Sequence, residues 1–152
     1  MTEMVVDEPR DADFPRWREL YRGYAEFYKV AQTDEQALRV WSWLHDPAHE
    51  QRGLVVRDRG GTAVGLAHYR PFARPLRASV GMFLDDLFVD AAHRGSGAVD
   101  ALLARLREIA RSEGWDVIRW ITADDNYRAR SKYDQVATRT AWITYDMAPA
   151  ER

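Results

Sequence analysis

The sequence contains no cysteine among its 152 residues. Disulfide bonds, zinc sites with cysteine ligands and a cysteine nucleophile are therefore excluded. Basic residues are not in excess, with 22 Lys and Arg against 24 Asp and Glu and a formal net charge of −2. Nucleic-acid binding is accordingly not expected as the main role of the chain.

Long apolar runs are also absent, since none approaches the roughly 20 residues of a membrane span. The first residues lack the basic start and apolar stretch of a signal peptide. His45 and His49 are four residues apart, but Pro47 between them breaks a helical metal pair. We therefore expect a cytoplasmic protein with no membrane partner and no metal site.

Hydrophobic residues make up 46% of the chain and charged residues 30%, an ordinary globular composition. The length suits one domain over residues 1–152, with enough chain to bury a core. No repeat, linker or low-complexity segment interrupts it. We therefore expect a single domain.

The apolar pattern predicts strands and helices in alternation. The expected strands cover residues 4–6, 53–58, 63–69, 79–89, 115–122 and a closing strand at 138–147. The expected helices cover about residues 13–30, 34–45, 98–113 and 127–135. Strand–helix–strand units favour parallel pairing, while hairpins favour antiparallel pairing. The result is one mixed sheet with helices on both faces.

A loop with two glycines, Gly95 and Gly97, follows the long strand and opens an amphipathic helix. A dinucleotide-binding fingerprint would need a third glycine where Asp100 stands, and the lysine of a P-loop is missing. The free N–H groups and positive end of a helix nevertheless favour a phosphate. Arg94 adds a positive charge at the rim, so the loop predicts a phosphate-bearing ligand.

Two motifs resemble those of the GNAT family of N-acetyltransferases. The first family motif is written Arg/Gln-x-x-Gly-x-Gly/Ala, and Arg94 and Gly97 match it, whereas Val99 stands where the family prefers glycine or alanine. The second is written Asn-x-x-Ala-x-x-x-Tyr, and it is matched by Asn126, Ala129 and Tyr133. Lys132 and Ala137 depart from the family's usual apolar residue and glycine. The resemblance covers residues 4–147. Within the family, the sequence also resembles the branch whose members acetylate polyamines.

The resemblance implies an α/β (α+β mixed) fold with a single, mostly antiparallel sheet and central parallel strands that splay apart beside acetyl-CoA. The parallel strands would be residues 79–89 and 115–122. Backbone groups of Leu87, Phe88 and Val89 would pair with the pantetheine arm of acetyl-CoA. Asn126 would contact the pantetheine side of the cofactor. The pyrophosphate would be held by Arg94 and by the N–H groups of Gly95, Ser96, Gly97, Ala98 and Val99.

Acetyl transfer to an amine needs a group that accepts a proton and a group that protonates the departing thiolate. Tyr133 matches the family's tyrosine near the thioester sulfur and is assigned as general acid, the alternative being a helix tyrosine packed on the sheet. Asp85 is favoured as the base, directly or through water. Asp86 is assigned to substrate anchoring or structure, because neighbours on a regular strand point to opposite faces unless a bulge intervenes.

Three tyrosines of the first helix, Tyr21, Tyr24 and Tyr28, share a helical face with Phe14 and Trp17. Their apolar rings and polar tips suit the wall of a half-open pocket, so we predict substrate contacts there. The nearby carboxylates favour a cationic acceptor, whereas Arg74 and Arg77 oppose it. His68 could reach the same pocket or be a satisfied strand histidine.

These observations predict an acetyl-CoA-dependent N-acetyltransferase that acts on the primary amine of a small, cationic acceptor by direct attack in a ternary complex. Two alternatives stay open: a protein lysine or N-terminal acetyltransferase, and a non-catalytic acyl-CoA-binding module. Trp41 and Trp43, expected to be exposed, suggest a homodimer interface.

Overall fold

A computed structural model describes residues 4–151. The strands are β1 (Val5–Asp7), β2 (Arg52–Arg57), β3 (Ala63–Arg74), β4 (Ser79–Val89) and β5 (Ile118–Arg119). The helices are α1 (Phe14–Phe27), α2 (Asp34–Leu44), α3 (Ala98–Glu113) and α4 (Tyr127–Val136). Short 3-10 turns lie at Asp11–Asp13, Pro75–Arg77 and Ala91–His93. The chain divides into two compact units, the first ending at Trp120 and the second beginning at Ile121.

The described strands form one mixed sheet in the order β1-β2-β3-β4-β5. The first three pairings are antiparallel, and only β4 and β5 run parallel. This arrangement confirms the predicted single, mostly antiparallel sheet. The ends of α3 and β4 also fall where the sequence predicts them.

The expected closing strand at residues 138–147 is wrong for this structure, because these residues form no strand. Four large apolar side chains of the segment are strongly exposed: Trp142, Ile143, Tyr145 and Met147. Alternation and β-propensity predict how a segment fits a sheet, but a strand forms only where a neighbour accepts its backbone hydrogen bonds. The parallel pair therefore lies at the edge of the described sheet rather than at its centre.

Two other boundaries differ from expectation. β3 continues through Pro71 to Arg74, where a loop is predicted, while β5 covers only two of the eight residues predicted as strand. The β2–β3 ladder ends at Tyr69. From there one edge of β3 has no neighbouring strand, so a proline without an N–H is tolerated.

Helices cover both faces of the sheet, as predicted. On one face, α3 buries Leu102 and Leu106 against residues of the sheet such as Leu54 and Leu84. On the other face, Trp17 and Leu20 of α1 pack with residues such as Leu66. Adjacent residues of β2 and β3 serve opposite clusters, because side chains alternate along a strand.

Charged side chains fix α1 and the turn before it to the sheet. Arg57 of β2 pairs with Asp13, and both side chains are buried. Arg16 lies 2.6 Å from Asp90, just after β4, and also donates to the carbonyl of Ala63. The helix that carries the tyrosines is therefore tied to β2 and to the end of the β3–β4 pair where β3 begins and β4 finishes.

The predicted exposure of Trp41 and Trp43 is wrong. Trp41 is partly buried and packs 4.9 Å from Trp17 and 5.1 Å from Phe14, ring centre to ring centre. Trp43 is partly buried and stacks on His49 at 4.8 Å. Helical spacing alone does not show which face of α2 meets α1. No helix in the described chain is long and apolar enough to cross a membrane.

Candidate active site

A bulge in β4 brings the two neighbouring carboxylates to one face of the sheet. Asp86 pairs with His68 of β3 and Leu84 pairs with Tyr69, so Asp85 is an extra residue without a partner. The Asp86 carboxylate contacts His68 and the Asp85 carboxylate contacts Arg70. His68 and Arg70 are two apart on β3 and therefore share a face. The expectation of opposite faces holds for a regular strand, and the bulge overturns it.

Asp86 accepts hydrogen bonds from two elements. Its Oδ2 lies 2.8 Å from Nδ1 of His68 and 3.0 Å from the hydroxyl of Tyr21. Burial by itself raises the pKa of this carboxyl, but the hydrogen bond and electrostatic attraction of His68, followed by hydrogen bonds from Tyr21 and Tyr24, outweigh it and hold the pKa below its usual value. Asp86 is therefore a largely buried carboxylate that is ionised at neutral pH.

Asp85 has a wetter environment, with 28% of its side chain exposed. Its Oδ2 is 3.1 Å from Nε of Arg70 and 3.2 Å from the amide nitrogen of Gln51. Arg70 in turn lies over the ring of Phe83. The carboxylate is thus oriented by two donors and still reaches water.

The tyrosines of α1 stand beside these carboxylates. The Tyr24 hydroxyl is 3.4 Å from the backbone carbonyl of Asp85, and its ring meets Phe88 edge-on. Burial, followed by the negative charge of Asp86, raises the pKa values of Tyr21 and Tyr24. Both hydroxyls therefore stay protonated and act as donors. Tyr28 packs on Tyr24 at 4.9 Å and is 39% exposed, which places it at the rim of this row.

The loop before α3 has an open backbone. Gly95 and Gly97 have φ angles of +78° and +90°, a region that favours glycine, and a Cβ added at either would meet no atom within 4 Å. The Ser96 hydroxyl is buried and has no hydrogen-bond partner in the described structure. The first N–H groups of α3 have no partner inside the helix. The loop thus carries donors that fit a phosphate-bearing group.

Two neighbours of this loop differ in their exposure. Arg94 is exposed at its rim, whereas Ala98 is buried at the first position of α3. The Val99 side chain is partly buried against the core cluster of α3. Its branched side chain is therefore held by the protein's own core.

The parallel ladder between β4 and β5 is short. It joins Met82 with Ile118 and Phe83 with Arg119, and no pairing continues beyond Phe83 in the described sheet. Leu87, Phe88 and Val89 pair only with β3. In a strand with one neighbour, alternate N–H and C=O groups point to the unpaired side. The end of β4 therefore offers backbone donors and acceptors next to the carboxylates.

The second unit contains the remaining predicted site residues. Asn126 precedes α4 and donates its amide N–H to the hydroxyl oxygen of Thr122 at 3.3 Å. Tyr133 lies within α4 and is partly buried. The motif from Asn126 to Tyr133 lies at the start of a helix, as expected. The strand expected before it at residues 115–122 is reduced to Ile118 and Arg119.

An open cleft of about 750 Å³ lies elsewhere, on the α3 face of the sheet. Its lining includes Arg52, Tyr69 and Arg105 together with acidic residues. Tyr69 belongs to the α3 core cluster, so this cleft is on the opposite face from Asp85 and Asp86. The candidate site is therefore located by its carboxylates and not by the size of a cavity.

The sequence alone did not identify three polar side chains that organise the site: Trp17, Gln51 and Arg70. Trp17 is predicted only as core, although its indole N–H lies 3.1 Å from Nε2 of His68. Gln51 and Arg70 carry no motif. The one available signal is that a carboxylate inside an apolar strand needs a partner, which does not say where the partner is.

The model of the acetyltransferase (GNAT) family matches residues 16–137. The D-amino-acid N-acetyltransferase HPA3 of Saccharomyces cerevisiae is 27% identical over 139 residues, which cover 91% of this chain and 85% of that protein. The thialysine N-epsilon-acetyltransferase of Bos taurus is 24% identical over 141 residues, with coverage of 88% and 82%.

Among solved structures, an aminoglycoside N-acetyltransferase in complex with CoA superposes with a TM-score of 0.85. The alignment covers 99% of this chain and 97% of that one at 16% identity, a level that establishes the fold. Fold and matched sequence together define an acyltransferase of the CoA-dependent class. The chain belongs to the GNAT family and is an acetyl-CoA-dependent N-acetyltransferase.

Proposed function

We propose that this enzyme transfers the acetyl group of acetyl-CoA to the primary amine of a small, cationic acceptor by direct attack in a ternary complex. The observation that carries the proposal is the bulge, because it sets two carboxylates on the face that α1 lines with tyrosines. Such a wall suits a positively charged amine with a short body. Relatives named for D-amino acids and thialysine also acetylate small amines.

The different environments of Asp85 and Asp86 suit them to different roles. Asp85, partly exposed and oriented by Gln51 and Arg70, accepts the proton of the ammonium directly or through water. Asp86, more deeply buried, anchors the acceptor's positive charge. Tyr21, Tyr24 and Tyr28 form the wall of the acceptor site.

On the donor side, the N–H groups from Gly95 to Val99 hold the pyrophosphate, with Arg94 at the rim. The open glycine backbone and the unpartnered Ser96 hydroxyl support this assignment. Backbone groups of β4 from Leu87 to Val89 hold the pantetheine arm, and Asn126 contacts its side. The short β4–β5 ladder supports this role for β4.

In the reaction, the neutral amine nitrogen attacks the thioester carbonyl carbon, an N–C bond forms and the C–S bond breaks. The amine's proton passes toward Asp85, and Tyr133 gives its hydroxyl proton to the departing thiolate. No covalent enzyme intermediate is needed, and the chain has no cysteine to form one.

A panel of amines tests the proposal, with CoA release followed by a thiol reagent. Because the protein has no cysteine, the thiol signal comes from CoA alone. We expect turnover with small amines that carry a positive charge, and weaker turnover with lysine-containing peptides. Preference for a folded protein or peptide would overturn the small-molecule assignment. Y133F should lower kcat by about 10²-fold or more while acetyl-CoA still binds; unchanged turnover would refute the role of Tyr133.

A further inference from the structure

His68 is almost completely buried, with 1% of its surface exposed, and it lies between α1 and β4. Its two ring nitrogens contact different partners. Nε2 is 3.1 Å from the indole nitrogen of Trp17, and Nδ1 is 2.8 Å from Oδ2 of Asp86. The chain Trp17–His68–Asp86 is therefore continuous from the core to the candidate site.

The chemistry of Trp17 fixes the state of the ring. An indole N–H can only donate a hydrogen bond, so Nε2 of His68 must accept and carry no proton. The single ring proton is then on Nδ1, where it is donated to Asp86. A protonated ring would place an Nε2–H against the indole N–H, two donors facing each other in a buried position.

This assignment determines the charge of the network. With a neutral imidazole, the hydrogen bonds to Asp86 come from neutral donors: His68, Tyr21 and Tyr24. Arg70, two residues from His68 on the same face of β3, pairs with Asp85 instead. Among residues 4–120, no Lys or Arg pairs with Asp86. Within the first unit the carboxylate therefore has no cationic partner, and a largely buried negative charge costs free energy unless a cation arrives.

We propose that Trp17 locks His68 in the neutral Nδ1–H form, so that His68 positions Asp86, which has no cationic partner within the first unit, as an anion that selects a cationic acceptor. His68 is thus a positioning residue and neither an acid nor a base. The proposal rests on the proposed function for the identity of the cation. The state of the His68 ring can be tested without any reaction.

The first test is a two-bond ¹H–¹⁵N correlation spectrum of the full-length protein, which shows which ring nitrogen carries the proton. The chain has four histidines, and the signals lost in H68N identify His68. We expect a single Nδ1–H tautomer with no proton on Nε2 at about pH 7. An Nε2–H tautomer or a doubly protonated ring would overturn the proposal.

W17F provides the second test, because it removes the indole donor and leaves a ring in its place. Nε2 is then free to take a proton, and a charged His68 would neutralise Asp86. We expect Nε2 of His68 to carry a proton in W17F, and the KM for the amine to rise relative to wild type at the same pH. A W17F protein whose His68 keeps the Nδ1–H form would show that Trp17 is not the lock.

Kinetics separate positioning from mere packing. H68L removes the donor to Asp86, while H68N keeps a side-chain N–H at the position of Nδ1. We expect H68L to raise the KM for the amine about tenfold or more. H68N should recover part of this loss, and the KM for acetyl-CoA should stay unchanged in both.

H45N is the matched control, since His45 is exposed, its ring nitrogens contact only the backbone carbonyls of Trp41 and Pro9, and its ring packs on Trp41, away from Asp86. It should leave both KM values unchanged. Equal changes in H68L and H68N would contradict positioning. If no amine is acetylated but the spectra show the Nδ1–H form of His68, the proposed class of acceptor is wrong. The assignment of the His68 ring then still stands.

Discussion

Arg57 and Asp13 face each other with both guanidinium ends against both carboxylate oxygens, although 44 residues separate them in the chain. Both side chains are about nine-tenths buried. The pair fixes the turn before α1 to β2 and so determines where the tyrosine row begins. A bidentate arginine–carboxylate contact has a defined geometry as well as a favourable energy.

Replacement of Asp13 by Asn should lower the free energy of unfolding by about 3 kcal/mol at neutral pH, because it leaves a buried guanidinium short of a partner. The hydrogen bond from Arg57 lowers the pKa of Asp13. The ionised Asp13 carboxylate therefore adds to the free energy of unfolding at pH values above its unfolded pKa near 3.8. This contribution disappears as the pH falls through the lower pKa of the folded state. Urea titrations from pH 7 to pH 2 should show wild type and D13N converging only at the acid end.

The control is E108Q, because Glu108 also pairs with an arginine, Arg105, but both of these side chains are exposed. It should change the free energy of unfolding little. If the free energies of unfolding of D13N and wild type differ by the same amount at every pH down to pH 2, the stabilisation does not depend on the ionisation of Asp13.

Replacement of Gly97 by Ala should weaken acetyl-CoA binding. The position has φ +90°, so a Cβ strains the backbone by about 1–2 kcal/mol and enters the open space before α3. Gly114, at the other end of α3, has φ +74° and similar open space. G114A should lose comparable stability, while only G97A should raise the KM for acetyl-CoA. Equal KM values would contradict a phosphate site at this loop.

The two carboxylates should respond differently to amide substitution. We expect D85N to lower kcat by about 10²-fold or more, because a proton acceptor is lost. D86N should mainly raise the KM for the amine, because an anchor is lost. E108Q alters an exposed carboxylate on α3 and serves as the control. Steady-state kinetics at saturating acetyl-CoA measure both parameters, and an unchanged kcat in D85N would show that water alone takes the proton.

Tyr21 should not ionise in the accessible alkaline range. Burial and the charge of Asp86 raise its pKa above the usual value near 10. The ultraviolet titration of Y21F should therefore match that of wild type up to about pH 11, since Tyr21 contributes nothing there. The same variant should raise the KM for the amine severalfold through loss of one donor to Asp86. A titration step missing from Y21F would refute the burial of the hydroxyl.

The sequence predicted best where a local pattern determines the structure. The bounds of α3 follow from Gly97 and Gly114, and β4 follows from a long apolar run. The motif around Arg94 led to the correct family. The segment with Trp142 shows the limit, since its alternation is strand-like but nothing in the chain order says whether a neighbouring strand is present.

The site could be predicted only in part for a related reason. Residue type marked Asp85, Asp86 and the tyrosines as candidate site residues, and the family resemblance placed them beside one acceptor pocket. The bulge depends on the register between β3 and β4, which no local pattern encodes. His68 and Trp17 meet across 51 residues, so their hydrogen bond becomes visible only when α1 is seated on the sheet.

The bulge makes Asp85 a supernumerary residue of β4. Leu84 and Asp86 already occupy the positions that a regular ladder with Tyr69 and His68 requires. A strand without Asp85 would keep the same side chains on the same faces, and its core would remain complete. The proposed proton acceptor thus stands outside the regular alternation of β4, so its side chain can be exchanged without any repacking beneath it.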